Sequence, residues 1–88
     1  MNVLFPENVR ANLVGVAVAA LGAVLAAGAN VEYCRGIVHC TRANALLVGL
    51  PWADVGAEIA RNLDAAGVLA LLDASTRTML TTEGRRAR

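Results

Sequence analysis

The sequence predicts a small α+β domain, with a long apolar helix first, two further helices next and a short hairpin near the C-terminus. Three observations carry this. Residues 11–31 contain no charged side chain. Trp52, Val55, Ile59, Leu63 and Ala66 recur at helical spacing and give that stretch one clean apolar face. Residues 68–72 are a short aliphatic run, residues 73–76 (Asp-Ala-Ser-Thr) a turn-like cluster, and residues 77–81 a Thr-containing stretch suited to a returning strand. Read instead as helix, residues 68–80 set Leu69, Leu72, Thr76, Met79 and Leu80 along one face, and the alternative fold is an all-α helical bundle.

The first helix spans residues 7–30, entered through a turn at Phe5, Pro6, Glu7 and Asn8. Leu13, Val14, Val18, Leu21, Val24 and Leu25 fall on one broad arc, and Gly15, Ala19, Gly22 and Ala26 form a stripe on the other side. Such a stripe admits a second helix at close range, so the expected assembly is a homodimer through these four residues. Length also permits a membrane span, but the stretch is rich in Ala and Gly and has no flanking aromatic belt, which makes a buried or dimerising helix the better reading.

Residues 36–40 are short and branched enough for one more strand. Thr41 then suits an N-cap, opening a helix over 41–48 that Gly49 stops. Pro51 fits the first turn of the next helix, and Gly67 ends it.

The 88 residues make one small domain, 57% hydrophobic and 17% charged, which excludes disorder for the bulk of the chain. Aromatic residues are limited to Phe5, Tyr33 and Trp52, so the core must be built from small aliphatics in close contact. A core of this size is modest, and an oligomer or lipid is a route to covering the apolar excess. A net charge of +1 excludes a strongly basic nucleic-acid coat protein. All the cations are arginine, and the positive excess collects in the last residues, with a basic tail over 85–88.

Cys34 and Cys40 do not make a disulfide framework. Together with His39 they supply three possible metal ligands where a structural zinc site needs four. The expectation is two buried free thiols, a partly buried histidine, no metal or cofactor, and a reducing, cytoplasmic setting. Glu7 ahead of the apolar stretch argues against a secretory leader. Ser75, His39 and Asp73 have no spacing that joins them as nucleophile, base and orienter, and the chain reads as non-enzymatic.

The order of elements resembles the winged helix-turn-helix family, of the broad MarR-like or PadR-like kind, over residues 36–88. The stretch Leu63-Asp64-Ala65-Ala66-Gly67-Val68-Leu69 looks like the end of that family's recognition helix. Arg77 falls where its wing would be, and Leu80-Thr81-Thr82-Glu83-Gly84-Arg85-Arg86 is similar to its closing segment. Residues 41–50 are similar to its helix-turn segment with one residue fewer. The resemblance implies a winged-helix region over 36–84 and a DNA-binding transcriptional regulator, with Arg42, Asn44, Arg61, Arg77, Arg85 and Arg86 meeting double-stranded DNA.

The third helix complicates that implication. Asp54, Glu58 and Asp64 against Arg61 make its outer face acidic, and carboxylates aimed at a phosphate-lined groove oppose binding. The alternative is a protein–protein interaction module acting as inhibitor or adaptor, with Asp54 and Glu58 receiving a basic partner. A small single-span membrane protein is a further alternative.

Overall fold

The computed structural model describes residues 6–28 and 30–81. Among these the chain forms four α-helices and one 3-10 turn: α1 (Pro6–Ala27), α2 (Val31–Leu47), α3 (Trp52–Ala65), the 3-10 turn Leu69–Leu71, and α4 (Ala74–Thr81). The α+β expectation is overturned, since no strand occurs among the described residues. The chain is an all-helical bundle.

Helix α1 begins at Pro6, whose fixed φ suits a first helical position. It stops at Ala27, short of residue 30, because Gly28 takes a φ of 131°. Val14, Ala17, Leu21 and Leu25 are its buried face, with Leu13, Val18 and Val24 packed beside them.

Helix α2 overturns both the strand at 36–40 and the helix start at Thr41. Asn30 caps it, its side chain accepting the Tyr33 N–H at 2.9 Å. Cys34, Val38, Thr41 and Ala45 then recur at spacings of four, three and four and are buried together. Packing of this face outweighs the strand preference of Ile37 and Val38. Thr41 is mid-helix, and its buried hydroxyl donates to the Ile37 carbonyl at 2.8 Å.

Both predicted glycine stops are present. Gly49 and Gly67 each have a φ of 78°. Leu50 N–H reaches the Ala45 carbonyl at 2.8 Å and Gly49 N–H that of Leu46 at 3.2 Å. Val68 and Gly67 repeat the pattern on Leu63 and Asp64 at 3.0 and 2.9 Å. These are Schellman closures, which need a left-handed residue at the glycine.

Residues 68–81 turn back as a 3-10 turn and a helix rather than a hairpin. Asp73 is the N-cap of α4: its Oδ2 accepts the Thr76 N–H at 3.2 Å and its Oδ1 the Thr76 hydroxyl at 2.5 Å. Thr78 and Thr81 return their hydroxyls to the Ala74 and Arg77 carbonyls, both at 2.9 Å, which reconciles threonine with a helix. Leu72, Thr76 and Leu80 are buried, with Leu69 and Met79 packed beside them, so the face foreseen for a helical 68–80 is the one that forms. The helix is interrupted at Leu72, where the backbone turns extended.

Helix α3 is the centre of the bundle. Val55, Ile59 and Leu63 are fully enclosed, and both α1 and α4 pack on this helix. Trp52 is buried at its start, and its indole N–H donates to the Met79 carbonyl at 2.9 Å. At Gly56 the two backbones nearly touch, and a Cβ there would land on the carbonyl oxygen of Leu80. The whole is flat, 41 × 31 × 22 Å, its thinnest dimension about two helix diameters.

Two outcomes follow. Gly56→Ala must push α4 away and is expected to cost about 1–3 kcal/mol in urea unfolding, whereas Gly36→Ala, where an added Cβ meets nothing within 4 Å, should gain about 0.5–1 kcal/mol. Asp73 is held below the ordinary aspartate range, chiefly by the Thr76 hydroxyl, with the Thr76 N–H and Arg35 adding to it. A depressed folded value means that its stabilisation is present above that range and is lost as the pH falls towards the folded value. Asp73→Ala should therefore lower stability by about 1 kcal/mol at neutral pH, and the gap to the wild type should close in acid, as read from urea midpoints along a pH series.

Candidate functional site

The residues expected to meet DNA do not converge. Arg42 and Asn44 lie two positions apart on α2, about 200° around the helix, so they point to different sides. Asn44 lines a groove against α1. Arg61 is exposed on α3, and Arg77 is half-buried on α4 rather than on a wing. Arg85 and Arg86, with the basic tail, lie outside the described residues.

The acidic face of α3 is also differently arranged. Glu58 is joined to Arg10 of α1, Oε1 to the guanidinium at 2.7 Å, in place of an ion pair with Arg61. Asp54 and Asp64 are exposed. On the other side of the bundle Arg35 of α2 reaches Asp73 at 3.4 Å. Partly exposed pairs of this kind tie helices together weakly, by about 0–1 kcal/mol each.

What the fold brings together is an uncharged surface. Gly15, Ala19 and Ala26 are exposed on α1 and Gly22 is half-exposed; a Cβ added at Gly15 or Gly22 meets nothing within 4 Å. A groove against α2 lies beside this stripe, on the neighbouring flank of α1, and shares no residue with it. One end is lined by Val9, Asn12, Leu13, Val16, Thr41 and Asn44. The middle adds Ala17, Ala20, Gly36 and Cys40, and the far end runs to Val24, Ala27, Asn30 and Tyr33. No charged side chain lines it. Val16 and Tyr33 stand out of it, 69% and 63% exposed.

The sequence reading found the α1 stripe and missed the α2 half of this surface. On α2 the outward residues Gly36, Cys40, Ala43 and Leu47 repeat the spacings of four, three and four seen on α1. Dividing α2 into a strand and a short helix hid that register. The Asn30 cap and the period of Cys34, Val38, Thr41 and Ala45 were the signals that expose it.

The cysteines differ from each other. Cys34 is buried, and its thiol is pushed up, first by burial and then by the Asp73 charge. Cys40 is exposed on the groove side of α2, contrary to the expectation of two buried thiols, and His39 is exposed as well. The reason is the helical register: residue 40 lies about 120° around the helix from Cys34, clear of the face that Cys34, Val38, Thr41 and Ala45 share. The chain should therefore release one equivalent of thionitrobenzoate rapidly from Ellman's reagent in native buffer and the second only on unfolding, with Cys40→Ser removing the fast phase.

Helix α1 is long and apolar enough over Asn8–Ala27 to cross a membrane, and 22% of its most apolar window is buried inside the bundle. The buried part is nevertheless integral: Leu21 is fully enclosed, and withdrawing α1 would uncover α2 and α3 together. No protein-family model matches the chain, and comparisons with curated proteins and with solved structures give no match either.

Proposed function

We propose that this chain is a non-enzymatic protein–protein interaction module whose working surface is the outer face of α1 and α2. The observation that carries the reading is the uncharged groove, continuous along both helices, with Val16 and Tyr33 projecting from it. An apolar groove open to solvent and lined without charges is the kind of surface that receives a partner. An exposed tyrosine and the lack of charged residues match the centre of a protein interface.

The groove suits a helix or a helical surface better than an enclosed small molecule. It is open along its length, lined by Gly, Ala and Val, and shaped by the gap between two neighbouring helices, into which side-chain ridges of a third can settle. Its polar side chains are few: Asn12, Asn44 and Thr41 at one end and Asn30 and the Tyr33 phenol at the other. These orient a partner without requiring an opposite charge.

Photo-crosslinking tests the reading. Benzoylphenylalanine placed at Val16 should yield adducts in cells that express the chain, whereas the same group at Arg61 on α3 should yield none. Adducts from Arg61 alone would move the working surface to the acidic helix and remove this proposal.

A further inference from the structure

We infer that the occupant of the α1/α2 face is a second copy of the chain, packed on it by a two-fold axis; this rests on the reading of that face as an interaction surface. The argument begins with self-complementarity. In a two-fold interface each residue near the axis meets its own copy, so charged residues there oppose one another while amides, phenols and apolar groups do not. The face consists of the second kind alone. Asn12, Asn30 and Asn44 carry both donor and acceptor on one amide, Tyr33 does so on one hydroxyl, and the rest of the lining is a thiol, a threonine or apolar.

The charges of the described residues are placed accordingly. Arg10 is drawn away to Glu58, and Arg35 to Asp73, both off the groove. Glu32 and Arg42 flank α2 without lining it. A lipid surface would instead favour cations along the rim of the apolar face, and the rim supplies none from α1 beyond Arg10.

Size and shape agree. Helix α1 has 22 residues, about 33 Å of length. Two helices side by side at about 8–10 Å present a face roughly 20 Å wide. Such a face offers an area close to the roughly 800 Å² per partner of a stable interface. Ala17 and Ala20 of α1 and Gly36 of α2 line the middle of the groove and keep both helices low there, so that the helices of two copies can approach closely. Val16 of each copy then enters the groove of the other.

Sedimentation velocity on the full chain decides the matter. The wild type should sediment as twice 9.1 kDa at micromolar concentration. Val16→Arg sets like charges into the groove and should raise the dissociation constant about 100-fold or more. Gly36→Leu, whose added Cβ meets nothing within 4 Å, should weaken the dimer in the same direction while its helical circular dichroism holds. Asp64→Arg on α3 should leave the dimer unchanged. A wild type that stays monomeric at all concentrations, or a dimer indifferent to both Val16→Arg and Gly36→Leu, would overturn the inference. A monomer that still gives Val16 adducts to a different protein removes the second copy and leaves the interaction surface standing. A monomer without Val16 adducts, or one recovered on neutral phosphatidylcholine vesicles, removes both.

Discussion

The packing of this protein depends on how closely helices can approach α3. Among the described residues Trp52 is the sole aromatic side chain of the buried core; the rest is chiefly Val, Leu, Ile and Ala, and such side chains exclude water only when the backbones are near each other. Gly56 is where that demand is greatest. Its missing Cβ lets the Leu80 carbonyl come against α3, and the same approach brings the Met79 carbonyl within reach of the Trp52 indole. Helix α4 has eight residues and is too short to stand alone, so its place is fixed by this contact and by the Asp73 cap.

The same economy in side-chain volume explains the exposed apolar face. Among the described residues, a bundle about two helices thick has no further layer to cover α1 and α2 from outside. Helix α1 spends its large residues inward, on Val14, Leu21 and Leu25, and shows Gly, Ala and Val16 outward. Charge is partitioned in step with this. Arg10–Glu58 and Arg35–Asp73 join helices along flanks away from the groove, leaving an uncharged surface that water covers poorly. Fold and proposed function thus share one cause.

The misreading of residues 36–40 and 77–81 has a physical origin. Ile37, Val38 and the threonines of α4 carry intrinsic strand preference, and a short segment of such residues is ambiguous by period alone. In α2 the ambiguity is resolved by burial of Cys34, Val38, Thr41 and Ala45 as one face. In α4 it is resolved by Thr78 and Thr81 bonding back to their own helix, while Thr76 completes the Asp73 cap. The resemblance to a winged helix rested on the order and spacing of its pieces, the hairpin among them, and without the hairpin the arginines assigned to a wing and a recognition face are dispersed over α2, α3 and α4.

By itself the sequence determined what is local in this protein. The long uncharged helix, the Gly49 and Gly67 stops, the Pro51 turn into α3 and the apolar face of that helix are set by φ preferences and by a 3.6-residue period, which need no partner segment. The small-residue stripe of α1 was legible for the same reason. Only the tertiary structure decided whether 68–81 would be hairpin or helix, that Glu58 pairs with Arg10 rather than with a neighbour on its own helix, and that Cys40 and Gly36 join Val16 and Ala20 of α1 in one groove. Those outcomes turn on which faces are buried against which. That balance is set by contacts distant in sequence, on which a local pattern of residues carries no information.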